Sequence, residues 1–451
     1  MTRGPILKNI WLYTVPIILT GVLQLLFNAA DLIVVGRAGG GSISVAAVGA
    51  TGAITNLIVN LFIGLSVGAG VCVARAAGAN DRERLHRLVH TAIPAAAISG
   101  IFLTVVGVAE AENFLLMMDT PEDVIDLSTQ YMRIYFCGMT GSMIYNFGAA
   151  ILRAVGDTKS PLYYLTAAGV LNVILNLIFV VVFKLDVAGV AIATSVSQAV
   201  SAVLIVLTLI HRTDYIKFSF KQMHIYKNEL FQIIRFGVPA GIQGSLFSIS
   251  NVLIQSSVNS FGSVVMSGNA ASSNIEGFIY TSMNAFNQTS MNFAGQNHGA
   301  KQYRRIGKIA LACVLSVTLV GAVLGVSAYL ADDLLLNIYI TDSLEAIAYG
   351  KLRLKYISLT YYLCGMLDVM TGLLRGIGAS LMPMIITVAG VCGFRILWVL
   401  TVFGSAQYHT LDCLYLSYPI SWIITFVVEL IAFIILNSRL KKKDAAEEKA
   451  G

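Results

Sequence analysis

LYTVPIILTGVLQLLFNAADLIVVG, residues 12–36, carries a single formal charge, Asp31. At about 1.5 Å of rise per residue, a helix of this length crosses the ~30 Å hydrocarbon core of a bilayer with residues to spare. Similar runs recur at 45–73, 88–109, 128–152, 161–183, 187–210, 233–258, 264–293, 307–330, 352–374, 381–403 and 412–436. Backbone exposed to lipid must satisfy its own hydrogen bonds, so only helices and closed barrels span membranes. Barrel strands are about ten residues long and alternate in polarity, whereas these runs are long and continuous. The fold class predicted is an all-α membrane protein with twelve transmembrane helices. Composition agrees: 57% of the 451 residues are apolar, 12% are charged, and the mean hydropathy is +0.77, which excludes a soluble protein.

Most of the 30 Lys and Arg fall in segments that share one side if the N-terminus is cytoplasmic. They include Arg3, Lys8, Arg75, Arg82, Arg84, Arg87, Arg153, Lys159, Lys301 and the 441–443 tail. The 110–127 loop instead holds Glu110, Glu112, Asp119, Glu122, Asp123 and Asp126 with no Lys or Arg, so the positive-inside rule places both termini in the cytosol. The first run opens after Arg3 and Lys8 and lacks a small-residue cleavage pattern, so it reads as a retained span. Lys351, Arg353 and Lys355 depart from this pattern and read as boundary anchors that snorkel or pair with Asp342 and Glu345. The net charge of +6 sits beside spans and fits an anionic leaflet, not nucleic acid.

The chain repeats itself. Val15-Pro16, Gly21 and Asn28 recur as Val238-Pro239, Gly244 and Asn251, all 223 residues later. Gly78-Ala79 followed by two Arg recurs as Gly299-Ala300, and Leu152-Arg153-x-x-Gly156 with Pro161 recurs as Leu374-Arg375-x-x-Gly378 with Pro383. Six spans per copy give both copies the same orientation, so the expectation is two pseudo-symmetric six-helix bundles. The predicted division is an N-terminal lobe 1–210, a cytoplasmic connector 211–232, a C-terminal lobe 233–436 and a charged tail 437–451.

A carboxylate at membrane depth costs about 2.5–3.5 kcal/mol on insertion scales and demands pairing, hydration or use. Asp31 shares a helical face with Asn28 and Gln24. Asn172 and Asn176 are spaced i, i+4 in the fifth run, and Thr194 and Gln198 repeat that spacing in the sixth, offering oxygens at similar depth. Glu276 lies in a run rich in Asn, Ser and Gln, with Asn269, Ser273, Tyr280, Asn284 and Asn287 near its face. Asp368 lies in the tenth run and is expected to face Glu276. These two acids read either as a second polar site for a cationic substrate or proton, or as a network bridging helices. Glu429 and Arg395 read as interlobe or interhelix partners.

Other motifs exclude function classes. No Walker-type GxxxxGK[ST] is present, so ATP is not an expected partner. Gly64, Gly68 and Gly70 read as close helix packing. The six Cys and six His show no metal-ligand spacing, so neither a metal site nor a cofactor is expected. No nucleophile and base pair points to an enzyme. Pro16 and Pro239 stand near the starts of equivalent runs, either as hinges or as tolerated first-turn prolines.

In combination, Pro16-x4-Gly21-x2-Gln24-x2-Phe27-Asn28-x2-Asp31-x3-Val35-Gly36, Gly64-Leu65-Ser66-x-Gly68, both Leu-Arg-x-x-Gly turns and Gly295-Gln296-Asn297-x-Gly299-Ala300 resemble the multidrug and toxic compound extrusion (MATE) transporters over nearly the whole chain. This family shares a superfamily and fold with lipid-linked oligosaccharide flippases. The first-run acid, and Phe247 near the place of a seventh-run carboxylate, are similar to the DinF-like bacterial branch. The resemblance implies a multi-pass protein of the bacterial inner membrane that exports amphipathic drug-like cations by alternating access, driven by H⁺ or Na⁺. It implies a cation site at Asp31, Asn172, Asn176 and Thr194, with Asn176 standing where the branch has a second acid. That loss of charge disfavours Na⁺ and favours proton coupling through Asp31. Gln24, Asn28, Glu276, Tyr280, Asn284 and Asp368 are the candidate substrate residues, with Phe27 and Phe286 as further aromatics for a cation. A monomer suffices for this reading. The alternatives are a lipid-linked precursor flippase, which calls for a cationic cavity, and a channel or receptor.

Overall fold

The computed structural model describes residues 1–118, 120–341 and 343–450, with side chains except at 42 and 443–450. Asp119, Asp342 and the side chains of most of the predicted tail therefore lie outside the described residues. Among those described the chain is helical throughout, without strands. The helices are α1 Ile6–Ala38, α2 Ser42–Gly78, α3 Arg82–Leu116, α4 Glu122–Cys137, α5 Met139–Val155, α6 Lys159–Asn176, α7 Asp186–His211, α8 Lys227–Asn259, α9 Ser263–Gly299 and α10 Tyr303–Leu330. There follow α11 Asp332–Leu336, α12 Leu344–Ile357, α13 Tyr361–Gly376, α14 Leu381–Thr387, α15 Phe394–Trp398 and α16 Leu411–Ala450.

Each of the twelve apolar runs of the sequence falls on one of these helices or on a consecutive series of them. Ten of the resulting segments are long and apolar enough to cross a membrane. The other two explain themselves. The 128–152 run is interrupted at Gly138, between α4 and α5, where Ser195 Oγ of α7 donates to Ile134 O at 2.8 Å and Thr104 Oγ1 of α3 donates to Phe136 O at 2.8 Å. A Cβ at Gly138 would fall 2.8 Å from Ser195 Cα, so glycine permits that approach. The second exception, α9, is long enough but carries Asn, Ser and Gln along its length.

The chain packs as two compact units, Leu19–Ser245 and Met1–Ile18 with Leu246–Gly451. This partition cuts α1 and α8 and so differs from a division in chain order. In the first unit the early part of α8 crosses α2 through four glycines. A Cβ at Gly64 would lie 2.2 Å from Gly241 N, and one at Gly68 would lie 2.6 Å from Gly237 N, which leaves room for no side chain. In the other unit the equivalent crossing, of early α1 on α9, is filled by side chains. Thr14 and Thr289 hydroxyls share a 2.8 Å hydrogen bond, and Tyr13 meets Phe293 edge to face at 5.4 Å. Pro16 and Pro239 lie inside continuous helices, beyond the first turn, so each removes an interior hydrogen bond.

The connector packs in the Leu19–Ser245 unit against the start of α3. Ser219 N donates to His90 Nε2 at 3.1 Å, Tyr226 N donates to Thr91 Oγ1 at 3.1 Å, and Glu229 accepts from Arg87 Nε at 3.4 Å. Three π-helical turns, Leu177–Val182, Val388–Gly393 and Val399–Phe403, interrupt the two equivalent spans that carry Pro161 and Pro383 in their first turns.

Candidate functional site

In the Leu19–Ser245 unit α1, α6 and α7 bring four polar residues together. The i, i+4 spacing puts Asn172 and Asn176 one turn apart on α6. Opposite them, the Phe27 ring of α1 lies on Gly169, where a Cβ would sit 1.9 Å from Phe27 Cε2. That missing side chain lets α1 approach α6 and carries Asp31 to the asparagines. Asn176 Nδ2 donates to Asp31 Oδ1 at 2.5 Å and to Asn172 Oδ1 at 3.2 Å. Thr194 Oγ1 of α7 donates to Asp31 Oδ2 at 3.4 Å, and Asn172 Nδ2 donates to Thr194 Oγ1 at 3.3 Å.

Two features decide what this cluster can do. Among the described residues no Lys, Arg or His pairs with Asp31. In addition, Asn176 is fully buried and its Oδ1 accepts no hydrogen bond. A carboxylate, two amide oxygens and a hydroxyl thus form a hard-oxygen set suited to a proton or a small cation. Gln24 and Asn28, on the same helix, are exposed and stand outside this hydrogen-bonded set.

The other unit distributes its acids differently. Glu276 does not face Asp368; it is held by Arg353, whose Nε and Nη2 donate to its two oxygens at 3.0 and 2.7 Å. Arg353 Nη1 also donates to Asn269 Oδ1 at 2.7 Å, and Tyr415 OH donates to the same oxygen at 3.2 Å. Arg353 is therefore a buried partner, not a boundary anchor. The reason is that α12 starts at Leu344, earlier than the apolar run, which carries Arg353 a further two turns into the helix. Lys351 reaches Asp333 at 2.6 Å and Asp332 at 3.5 Å, not the expected Glu345; the other expected partner, Asp342, lies outside the described residues.

Asp368 has a buried Oδ2 with no hydrogen-bond partner, while its backbone oxygen accepts from Asn287 Nδ2 at 2.8 Å. Tyr280 is part-exposed, Asn284 accepts from Gln288 Nε2 at 3.0 Å, and Phe286 is fully buried in the core against Trp11. Glu429 and Arg395 do not pair. Glu429 accepts from Thr371 and Thr387 hydroxyls, both at 2.9 Å, and Arg395 Nε donates to Ser421 Oγ at 3.1 Å.

The fold and the repeated anchors agree with the comparisons. The MatE family model matches residues 16–178 and again 239–400. The chain belongs to the MatE family. The two matches begin at the repeated prolines, so the duplication is a property of this MatE transporter as the family model also sees it. It is similar to the probable multidrug resistance protein YpnP of Bacillus subtilis, 29% identical over 85% of this chain and 86% of that protein. Similarity to the probable multidrug resistance protein YoeA of Bacillus subtilis is 27% identity over 95% and 93%. An outward-facing multidrug resistance MATE family transporter of the MOP superfamily matches the fold with a TM-score of 0.90 at 21% identity, covering 98% of each chain. The MatE chain is thus a multi-pass membrane transporter and not an enzyme.

In this MatE chain the partner of Glu276 that the sequence does not reveal is Arg353, which also donates to Asn269. A signal existed: an acid within a polar span calls for a base at similar depth, and Arg353 stands within the 352–374 run itself.

Proposed function

We propose that this protein is a secondary antiporter of the bacterial inner membrane that exports amphipathic organic cations in exchange for H⁺ or Na⁺, with both termini in the cytosol. The observation that carries the reading is the contrast between two acids. Glu276 has its counter-charge in Arg353, whereas Asp31 is surrounded by amides and a hydroxyl with no basic partner among the described residues. Keeping a lone carboxylate at membrane depth calls for a cation from outside the chain. When a proton or Na⁺ binds Asp31, the charge that favours a hydrated site is cancelled, and the balance between conformations shifts. Reciprocal linkage then requires substrate and coupling ion to alter each other's affinity by the same factor.

Multidrug resistance is named for the relatives YpnP and YoeA, which supports drug-like substrates here. Part-exposed Tyr280, with Asp368 in the same unit, suits an organic cation through a ring face and a carboxylate.

The test is transport of ethidium into inside-out proteoliposomes under an imposed pH gradient or an imposed Na⁺ gradient. Asp31→Asn is expected to abolish gradient-driven transport while ethidium still binds the purified protein. Gradient-driven transport at the parental rate by Asp31→Asn rejects the coupling role.

A further inference from the structure

Arg395 is buried at 1% exposure in the unit that contains α9 to α16, and a guanidinium stays protonated in proteins. Its charge therefore needs an answer. Among the described residues no carboxylate reaches it; its partners are the Ser421 hydroxyl and three aromatic rings, Tyr418 at 4.0 Å, Trp422 at 5.7 Å and Phe247 at 6.0 Å. Ring faces attract the cation but accept no strong hydrogen bond. Arg395 Nη2 is accordingly left without a partner, and so is the indole Nε1 of Trp422, itself buried at 2% exposure. Both groups can only donate. Two orphaned donors and a permanent positive charge in one aromatic cluster call for an acceptor, and an anionic one answers the charge as well.

The backbone around Arg395 is irregular on both sides. The short helix that carries it, α15, runs between the π-helical turns Val388–Gly393 and Val399–Phe403, a distortion often found at functional sites. In the other half, the π-helical turn that begins at Leu177 directly follows Asn176 of the Asp31 cluster. Equivalent spans thus present an acid-centred oxygen cluster in one unit and an unpaired base in the other.

We propose that Arg395, with Trp422, forms a binding site for the carboxylate of an amphipathic aromatic acid or zwitterion. A planar two-oxygen group matches the guanidinium fork, and the rings of Phe247, Tyr418 and Trp422 offer stacking surface to an aromatic body. Phe247, part-buried and 6.0 Å from the guanidinium carbon, is the least enclosed of the three rings. The proposal adds a second ligand class to the transport reading. Because it is tested by binding at fixed pH without a gradient, it stands or falls separately from the coupling role of Asp31.

The experiment measures binding of 1-pyrenebutyrate and of its methyl ester to the purified full-length protein in detergent, by calorimetry and by quenching of tryptophan fluorescence. The acid is expected to bind the parent about tenfold or more tighter than the ester, the scale of a charge-assisted hydrogen bond. Arg395→Met is expected to remove that preference while leaving the ester's affinity in place, and Trp422→Phe to weaken the acid a few-fold with its fold intact. Equal binding of acid and ester by the parent overturns the proposal, whatever the variants do. So does an unchanged acid preference in Arg395→Met. Tighter binding of dihexanoyl phosphatidate than of pyrenebutyrate overturns the carboxylate assignment in favour of a lipid phosphate.

Discussion

Arg353 grips Glu276 with two parallel hydrogen bonds, and neither residue has any other charge partner among the described residues. Breaking one side of a buried ion pair leaves the other charge uncompensated, typically at a cost of about 3–5 kcal/mol. Glu276→Gln is therefore expected to lower the melting temperature in detergent sharply. Replacing both together, as Glu276→Leu with Arg353→Met, is expected to recover much of that loss, since no isolated charge remains. If the double variant melts below Glu276→Gln, the pair contributes more than charge compensation.

The glycine crossing of α2 and α8 gives a prediction of a different kind. At Gly64 and Gly68 the atoms that a Cβ would strike are backbone atoms of α8, which cannot rotate away. Gly68→Val is expected to cost about 3 kcal/mol or more, at the upper end of overpacking, or to prevent folding. Gly52→Ala, on the same helix, has open space at its Cβ and is expected to be neutral or to gain about 0.5–1 kcal/mol of helix propensity. Thermal melts and the monodisperse yield of the two variants separate these outcomes; equal behaviour would mean that the close crossing does not hold the unit together.

Much of the architecture was legible because lipid imposes a local rule: each span must be apolar over its own length, and the reading of 12–36 or 307–330 needs no other part of the chain. The duplication was equally legible, since Pro16 and Pro239 or Arg153 and Arg375 stand in fixed register. What the sequence does not carry is partnership across helices. Nothing near Arg353 announces that its acid is 77 residues away, and nothing near Gly138 announces that Ser195 and Thr104 will serve the carbonyls at that break. The Asp31, Asn172, Asn176 and Thr194 grouping was reachable because i, i+4 spacing and the family resemblance both mark it. From sequence Glu429 and Arg395 stand only as interlobe or interhelix partners, with nothing to say what each one meets. The structure instead gives Glu429 two threonine hydroxyls, and Thr371 and Thr387 are unremarkable in a sequence this rich in Ser and Thr.

At the connector, Glu229 lies within 3.6 Å of Arg84 and 3.4 Å of Arg87 while it is itself almost wholly buried. Both arginines belong to the first turns of α3, whereas Glu229 opens α8, so the acid ties the connector's end to the helix on which it lies. Glu229→Gln keeps the shape and removes the charge. It is expected to raise amide hydrogen exchange over residues 213–226 by about tenfold, the equivalent of losing ~1.4 kcal/mol of local stability. Unchanged exchange there would show that the Ser219 and Tyr226 backbone bonds to His90 and Thr91 suffice.

Asn176 sets the charge of the Asp31 cluster, and Asn176→Asp tests what that charge does. The variant loses the amide donor to Asp31 Oδ1 and places a second carboxylate within hydrogen-bond distance of the first. Two carboxylates so close do not both stay ionised unless a proton or a metal cation lies between them. With Asn172 Oδ1 and Thr194 Oγ1 as further oxygens, the set gains the formal charge that Na⁺ binding rewards. Asn176→Asp is therefore expected to bind Na⁺ about tenfold or more tighter than the parent, read as a larger rise in melting temperature when choline chloride is exchanged for sodium chloride. Introducing Asp31→Asn into the variant should cancel the gain, because one carboxylate is then left, as in the parent. A sodium-insensitive Asn176→Asp would mean that the cluster is too tightly closed around its own hydrogen bonds to admit an ion larger than a proton.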